Sequence, residues 1–209
     1  MSNSRKLDID NWKRKDHYNF FRHFDEPFFG VCVDVDCTSA YRRAKELGVS
    51  FFLYYLHKSI VAVNQTEAFR YRINEEDEIL VYDTVEASPT INRPDGTFGY
   101  GYFSYDEDFD AFRQNAATEI EKVRNATGLI PAVSGENVIH YSSIPWINFK
   151  SISHARSFSH KDSIPKISFG KLHDDNGQLM MPVSIHVHHG LMDGYDVGKH
   201  LDLFQKLLG

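Results

Sequence analysis

The sequence of 209 residues has two cysteines, no long apolar run and an excess of acidic side chains. Cys32 and Cys37 lie five residues apart in one strand-like run, and an extended chain holds them too far apart for a disulfide. Reduced thiols of this kind favour a cytoplasmic protein. No segment has the length of a membrane span, and residues 1–8 lack the apolar core of a secretory signal. The formal net charge of −6 argues against a nucleic-acid partner, since phosphates are met by basic surfaces.

The composition is that of a compact domain with a substantial core. Hydrophobic residues make up 42% of the chain and aromatic residues 14%, which is ample for a core at this length. The sequence contains no internal repeat, no linker and no low-complexity tract. We therefore predict a single domain over residues 1–209.

Apolar periodicity predicts a mixture of helices and strands. The spacing predicts helices over residues 11–24, 40–47, 51–63, 109–126 and 195–208. Alternating or continuous apolar runs predict strands at residues 68–73, 78–85, 97–105, 138–141, 146–149, 166–173 and 179–188. Ser50 is a candidate helix cap, Gly48 a helix stop, and residues 174–177 a hairpin turn. This order of elements predicts an α+β sandwich.

The run from His188 to Gly194 lies between the last predicted strand and the last predicted helix. A histidine at such a strand end is suited to general-base catalysis, because its ordinary pKa lies near neutrality. Adjacent histidines in a strand are more often ordinary core or surface residues, so the pattern alone leaves both interpretations open. Asp193 is too near in sequence to be assumed a relay partner of His189. It is equally suited to fixing the turn through its own hydrogen bonds.

Metal binding is a further interpretation of the same strand. His186 and His188 lie on one face, because alternate residues of a strand point to the same side. They would supply two ligands of a site. No third ligand follows at a recognisable spacing, so no metal is expected.

Several segments occur in the order of one enzyme family. They are residues 8–17, 62–65, 81–85 and 141–149, and the run Val187-His188-His189 followed by Asp193-Gly194. In these segments the sequence resembles the trimeric, acetyl-coenzyme A dependent chloramphenicol acetyltransferases, nearly from end to end. Dihydrolipoyl acyltransferase cores and peptide-synthetase condensation domains share a histidine-aspartate-glycine motif, but they lack the N-terminal segment.

The resemblance implies a fold and an assembly. The fold is a two-layer sandwich of a mixed sheet and helices, as in coenzyme A dependent acyltransferases. The assembly is a homotrimer in which each active site lies between subunits. Acetyl-coenzyme A would be the co-substrate, and no nucleic acid or membrane partner is expected.

The resemblance also implies roles for individual residues. His189 matches the catalytic base, which takes the proton of the acceptor hydroxyl as that oxygen attacks the thioester, without an acyl-enzyme. Ser142 matches the serine that stabilises the tetrahedral intermediate. Ser168 falls where the family has a threonine that holds a water near this intermediate. Asp193 matches a structural aspartate that pairs with an arginine, here Arg14.

Other positions are associated with the two substrates. Trp146 and Lys171 lie where the family binds coenzyme A. Phe21 stands where a tyrosine often lines the acceptor pocket. Tyr100, which follows Phe98 in the same pocket segment, stands where alanine is usual.

Further departures from the family lie close to the site. Tyr195 and Asp196 replace a phenylalanine and a histidine after the C-terminal motif. Residues 24–29 include acidic side chains where the pocket edge is usually apolar. None of these changes touches the expected base or the serine of the oxyanion site.

From this resemblance we expect an acetyl-coenzyme A dependent O-acetyltransferase that acetylates a hydroxyl of chloramphenicol and so inactivates the antibiotic. One alternative is the same transfer to a different small hydroxylated acceptor, which the altered pocket residues favour. Another is a catalytically silent relative that binds a ligand. Retention of the whole catalytic set argues against the silent relative.

Overall fold

The computed structural model describes residues 3–129, 135–156 and 162–209. Its helices are α1 (Lys15–Phe21), α2 (Thr38–Glu46), α3 (Phe51–Gln65), α4 (Phe109–Asn125) and α5 (Gly194–Leu208), with a short 3-10 helix at Glu67–Arg70. Its strands are β1 (Ser4–Lys6), β2 (Phe28–Asp36), β3 (Tyr71–Ile73), β4 (Ile79–Tyr82), β5 (Glu86–Asn92), β6 (Phe98–Tyr100), β7 (Val138–Ser143), β8 (Lys166–Phe169), β9 (His173–Asp175) and β10 (Gln178–His188).

A mixed sheet of seven strands forms the centre of the described chain. Its hydrogen-bonded order is β2-β10-β8-β7-β5-β6, and β9 pairs with β10. The long strand β10 runs antiparallel to β2 and β8, whereas β7 runs parallel to β8 and β5. A smaller antiparallel sheet has the order β1-β4-β3.

The helices cover one face of the large sheet, and this face is apolar. Along β10 the side chains of Val183, Ile185 and Val187 alternate onto it, as the period of two in a strand requires. They are buried in one hydrophobic cluster with side chains from α2, α3, α4 and α5. The predicted α+β class, with a mixed sheet and a layer of helices, is confirmed.

The opposite face of the sheet, which we call the polar face, carries two rows of polar side chains. One row consists of the register partners Ser142, Ser168, Ser184 and Cys32 on β7, β8, β10 and β2. The adjacent row consists of His140, Lys166, His186 and Gly30 on the same strands. The segment after β7 returns over this face, since the ring of His154 packs edge-on against His186 with centroids 4.7 Å apart.

Local signals at element boundaries match the structure. The side chain of Ser50 caps α3 by accepting a hydrogen bond from the Leu53 N–H at 3.5 Å. Gly48, just after α2, has a positive φ of 65°, and Asn176 and Gly177 form the hairpin turn with φ values of 53° and 87°. Both cysteines are free thiols.

The predicted strand at residues 146–149 is wrong. Pro145 and Trp146 lie in a turn that is closed by a hydrogen bond from the Ile147 N–H to the Ile144 carbonyl at 3.2 Å. Proline at the second position of a turn presets the required backbone angle. The apolar residues that suggested a buried strand therefore begin with an exposed turn instead.

Other element boundaries also differ from the sequence prediction. Strand β5 was missed because Pro89 lies inside it, and proline cannot donate to a ladder; its carbonyl accepts the Gly101 N–H instead. Helix α1 begins at Lys15, since the Asn11 side chain bonds to Asp8 at 2.7 Å rather than capping a helix. The predicted strand 68–73 is half 3-10 helix, and the strands predicted at 97–105 and 166–173 are shorter.

No helix in the described ranges combines the length and the apolar character that crossing a bilayer requires.

Gly30 is expected to be intolerant of a side chain. A Cβ atom there would lie 2.4 Å from Nε2 of His186, and the His186 ring is held by its packing against His154. We expect Gly30→Ala to lower the free energy of unfolding by about 1 to 3 kcal/mol, as measured by urea denaturation.

Gly198→Ala is the matched control, because nothing lies within 4 Å of the Cβ position in that helical residue. It should raise stability by roughly 0.5 to 1 kcal/mol. The double variant Gly30→Ala/His186→Ala should be about as stable as His186→Ala alone. If Gly30→Ala costs the same in both backgrounds, the steric explanation is wrong.

Candidate active site

His189 lies one residue beyond β10, and its ring is held between two aromatic side chains. The imidazole stacks on Phe21 with ring centroids 4.1 Å apart and packs against Phe29 at 4.6 Å. Its Nδ1 faces the Met192 carbonyl at 3.3 Å. Because a carbonyl only accepts hydrogen bonds, this contact assigns the proton to Nδ1 and leaves the lone pair on Nε2. The backbone N–H of His189 donates to the Pro27 carbonyl at 2.8 Å, which fixes the direction of the chain.

His188, unlike His189, is buried and hydrogen-bonded within its own turn. It is buried, and its Nδ1 accepts the Gly190 N–H at 3.1 Å. Burial, together with the positive charge of Arg156, lowers the pKa of His188 to about 4, so the ring is neutral and free to accept this bond. His186 has its Nδ1 at 3.2 Å from the Ser184 hydroxyl. In the described part of the chain, no three His, Cys, Asp or Glu side chains are grouped to hold a metal ion.

An ion pair joins the N-terminal segment to the histidine loop. Nη1 of Arg14 lies 2.6 Å from Oδ2 of Asp193, and Nη2 donates to the backbone carbonyl of His189 at 3.1 Å. The guanidinium therefore contacts the loop at both of its ends. The structure brings Arg14 to His189 and Asp193, which lie 175 and 179 residues further along the sequence.

Asp193 also begins the last helix. Its Oδ1 accepts the Tyr195 N–H at 2.9 Å, and Asp196 completes a capping box by accepting the Asp193 N–H at 3.4 Å. Thus Asp193 fixes the turn, one of the possibilities that its sequence position left open, and it also pairs with Arg14. Burial raises the pKa of Asp193, but the hydrogen bonds from Arg14 and Tyr195 outweigh it, and the pKa lies below its ordinary value.

Ser142 opens onto a cavity of about 510 Å³ over the polar face. Its register partner Ser168 is fully buried, and the Ser168 hydroxyl has no hydrogen-bond partner among the described residues. Tyr100 lines the cavity. Phe98 packs edge-on against Tyr100, with ring centroids 5.7 Å apart, and is itself exposed.

A second cavity, of about 620 Å³, lies on the other side of the same strand end. Its walls include Ser143, Pro145 and residues 50–53 at the start of α3, and the Tyr55 hydroxyl bonds to the Ser143 hydroxyl at 3.0 Å. Ser142 and Ser143 point to opposite faces because successive strand residues alternate. The two cavities therefore approach the end of β7 from opposite sides.

Trp146 and Lys171 lie next to this second cavity. Trp146 follows the wall residue Pro145 and is 65% exposed. The Lys171 N–H donates to the Ile147 carbonyl at 2.9 Å. This hydrogen bond joins the backbone of residue 171 to the turn at residues 145–147, and the side chains of Trp146 and Lys171 are both exposed.

His189 and Ser142 do not meet within one chain. Ser142 is in register with Ser168, and Ser168 with Ser184 on β10, so two strand spacings of about 4.8 Å each separate Ser142 from β10. His189 lies five residues beyond Ser184, roughly 17 Å at 3.4 Å per residue. The two side chains are on the order of 20 Å apart. Phe21 is therefore placed with His189, whereas Tyr100 is placed with Ser142.

Sequence reasoning missed the charged and imidazole side chains of the first cavity, namely His140, His154, Arg156, Asp162 and Lys166. Two of them could have been found from the alternation of residues along a strand. Lys166 lies two residues before Ser168 and His140 two residues before Ser142, so strand alternation places them on the same face. The other three, His154, Arg156 and Asp162, lie outside the described helices and strands, and the sequence around them has no periodicity to interpret.

Comparison with known proteins identifies the family of this chain. A family model described as chloramphenicol acetyltransferase matches residues 2–205. The chain belongs to the chloramphenicol acetyltransferase family. Chloramphenicol acetyltransferase 3 of Escherichia coli is 29% identical over 98% of this chain and 97% of its own length. A chloramphenicol acetyltransferase of Staphylococcus aureus is 28% identical over 98% of this chain and 95% of its own.

Solved structures agree with this family assignment. A chloramphenicol acetyltransferase structure matches with a TM-score of 0.88 and 31% identity, over 99% of this chain and 100% of that one. A probable dihydrolipoamide acetyltransferase from Listeria monocytogenes 4b F2365 matches with a TM-score of 0.67 and 14% identity, over 92% of this chain and 88% of that one, which shows a shared fold alone. The predicted chloramphenicol-acetyltransferase-like fold is confirmed.

Arg14→Ala is expected to destabilise the protein at neutral pH, because it removes both contacts to the histidine loop. Asp193 is 37% exposed, so water screens the lost interaction and we expect a loss of about 1 to 2 kcal/mol. Since the pKa of Asp193 is lowered in the folded state, its stabilisation is present above about pH 4 and disappears as the pH falls through the folded-state value. Thermal unfolding between pH 7 and pH 3 measures both effects.

Arg113→Ala is the control, because Arg113 pairs with Asp110 on the exposed surface of α4. This change should cost less than about 0.5 kcal/mol. The difference between wild type and Arg14→Ala should shrink at acid pH. A difference that is constant over the whole pH range would show that Arg14 does not act through Asp193.

Proposed function

We propose that this chain is an acetyl-coenzyme A dependent O-acetyltransferase that acetylates a hydroxyl of chloramphenicol. The observation that carries the proposal is the His189 loop: an imidazole whose Nδ1 faces the Met192 carbonyl, so that Nε2 is the nitrogen left to act as base, in a loop held by Arg14 and Asp193 in a chain of this family. The cytoplasmic location and the single domain over residues 1–209 remain part of the proposal. The free thiols support the former.

In the proposed reaction, Nε2 of His189 takes the proton of the acceptor hydroxyl while that oxygen attacks the thioester carbonyl of acetyl-coenzyme A. The new C–O bond gives a tetrahedral oxyanion, which then collapses and breaks the C–S bond. The departing thiolate receives the proton from the imidazolium. The products are the acetyl ester and coenzyme A, and no acyl-enzyme forms.

Two hydroxyl groups serve the oxyanion in this proposal. Ser142 donates a hydrogen bond to it from the end of β7. Ser168 holds a water beside it, a role supported by the buried Ser168 hydroxyl that lacks a partner among the described residues. The Arg14–Asp193 pair keeps the histidine loop in its catalytic shape.

The two substrates are assigned to the two cavities. The acceptor enters the cavity of about 510 Å³ over the polar face, where Tyr100, packed against Phe98, forms one side. Acetyl-coenzyme A enters from the opposite face through the cavity of about 620 Å³. Trp146 packs against the coenzyme and Lys171 meets one of its phosphates as a point charge.

A complete site requires a second copy of the chain. Within one chain His189 and Ser142 are on the order of 20 Å apart, far beyond the reach of a single acetyl transfer. We propose a homotrimer in which His189 and Phe21 of one subunit face Ser142 and Tyr100 of the next. Cyclic symmetry then supplies three equivalent sites.

His189→Ala is expected to lower the kcat of thiol release from acetyl-coenzyme A in the presence of chloramphenicol by about a hundred- to ten-thousand-fold. Ser142→Ala is expected to lower it by about a hundred- to a thousand-fold. A thiol-trapping dye measures the release with and without the drug.

His17→Ala is the control, because His17 is exposed on α1 and has no part in the proposed chemistry. It should retain wild-type turnover. Drug-dependent release at the wild-type rate by His189→Ala would rule out the base assignment. Absence of release by folded wild-type trimer would rule out chloramphenicol as an acceptor.

Mixing the two inactive variants tests the site between subunits. If one subunit supplies the base and the next supplies Ser142, every trimer that contains both His189→Ala and Ser142→Ala chains has one intact site of three. Co-expression with two different tags and tandem purification gives the mixed trimers, and light scattering gives their mass.

The control mixes Ser142→Ala chains with chains that carry both substitutions, a combination that cannot assemble an intact site. The first mixture should recover about one third of the wild-type activity per trimer, and the control mixture should recover none. Parental activity in both mixtures, from assemblies of confirmed trimer mass, would place the site within one chain.

A further inference from the structure

Two hydroxyl groups form a pair in the wall of the second cavity, the one of about 620 Å³. The Tyr55 hydroxyl lies 3.0 Å from the Ser143 hydroxyl, and both side chains line this cavity. Tyr55 belongs to α3 and is 7% exposed, whereas Ser143 is the last residue of β7 and is partly exposed. The reaction proposed above gives this pair no role.

The phenol of Tyr55 is fixed by aromatic packing. Its ring contacts the rings of Phe51, Phe52 and Phe169, with centroids 5.1, 5.8 and 4.7 Å away. These rings hold the hydroxyl at one place in the cavity wall. Burial raises the pKa of Tyr55, so the phenol keeps its proton at neutral pH.

The pair has one more hydrogen than its own hydrogen bond uses. Each hydroxyl carries one hydrogen, and the bond between Tyr55 and Ser143 needs only one of the two. Among the described residues neither hydroxyl has a further hydrogen-bond partner. Whichever oxygen donates to the other, one O–H is therefore left to donate into the cavity.

The wall around this donor is largely apolar. The described apolar side chains that line the cavity are Phe51, Phe52, Leu53, Ile91 and Ile120. The charged wall residues Glu121 and Arg124 are exposed and pair with each other at 3.4 Å. An amide that enters such a cavity loses its bonds to water, which is costly unless the wall returns a hydrogen bond. The Tyr55–Ser143 pair can return one.

The pair also lies directly beside Ser142. Ser143 follows Ser142 on β7, and the two Cα atoms are about 3.8 Å apart. Thr90 lines both cavities, and its neighbour Pro89 is in register with Tyr141, so the cavities adjoin beside the end of β7. A pantetheine arm that enters through the second cavity passes the pair before its thioester reaches Ser142. In acetyl-coenzyme A two methylene groups separate the thioester sulfur from the nearest amide, so this amide lies at the pair when the thioester lies at Ser142.

We propose that the Tyr55–Ser143 pair donates a hydrogen bond to the carbonyl of the amide nearest the thioester in acetyl-coenzyme A. The pair then determines how far the arm enters and distinguishes an amide-bearing thioester from an apolar one. This inference rests on the proposed function and assigns to it two further residues that bind the acetyl donor.

The experiment compares acetyl-coenzyme A with an analogue in which two methylene groups replace the amide nearest the sulfur. The measured quantity is the ratio of kcat/KM for acetyl-coenzyme A to kcat/KM for the analogue, from thiol release with chloramphenicol. We expect wild type to favour acetyl-coenzyme A. Ser143→Ala should lower the ratio about three- to tenfold, as the loss of one hydrogen bond between uncharged groups implies. Ser143→Thr keeps the hydroxyl and should retain most of the ratio. Tyr55→Phe should lower the ratio as well, because it removes either the donor or the oxygen that orients it.

Ser59→Ala is the matched control, since Ser59 on the same helix forms a hydrogen bond of the same kind with the Tyr141 hydroxyl at 3.0 Å. Ser59 is fully buried and is not among the described residues that line the second cavity, so the ratio should stay at the wild-type value. General damage to the fold lowers both rates and leaves the ratio unchanged. A wild-type ratio of one or less, or the same ratio in wild type, Ser143→Ala and Tyr55→Phe, would overturn the inference.

Chloramphenicol turnover separates failure of this inference from failure of the proposed function. If the drug is acetylated and the ratio does not depend on Ser143, only this inference fails. If the drug gives no thiol release, the proposed function fails, and calorimetric titration of coenzyme A and the corresponding analogue without the amide still tests the pair. Tighter binding of coenzyme A that is lost in Ser143→Ala would support the assignment of the pair. Equal binding of the two, or binding of neither, would reject it.

Discussion

Burial of one apolar sheet face against the helices is the constraint on which the rest of this structure depends. Once Val183, Ile185 and Val187 of β10 pack under the helical layer, the period of two sends Ser184, His186 and His188 to the opposite face. The same rule acts on β7 and β8 through their register with β10. The polar face and its rows of hydroxyls, imidazoles and a lysine are thus a consequence of how the core is buried.

The histidine loop depends on a contact that the sheet alone does not provide. A strand end followed by a tight turn leaves backbone groups without hydrogen-bond partners in the sheet. Here the guanidinium of Arg14, at the start of α1, binds the His189 carbonyl and the Asp193 carboxylate. The same carboxylate of Asp193 begins α5, so the helix, the turn and the N-terminal segment are fixed together. Asp196, which departs from the family pattern, is explained by the capping box rather than by the chemistry.

Prediction from sequence succeeded where one local force dominated. The long helices α3, α4 and α5 and the strand β10 have strong periodicity, and the Asn176-Gly177 turn has a specific backbone requirement. It failed at β5, where Pro89 argues against a strand but lies where its missing donor is not needed. It failed again at Trp146, because apolar letters do not distinguish a buried strand from a turn that presents aromatic surface.

The sequence by itself determined the periodic elements, the position of His189 at a strand end and the family to which the motifs belong, because these depend on neighbours in the chain. Only the tertiary structure decided which residues share a site. It placed Arg14 on the His189 loop, separated His189 from Ser142 by several strand positions, and gathered Lys166 and Asp162 in one cavity. The physical reason is that strand register and long-range packing bring distant residues together, and neither is written in local spacing.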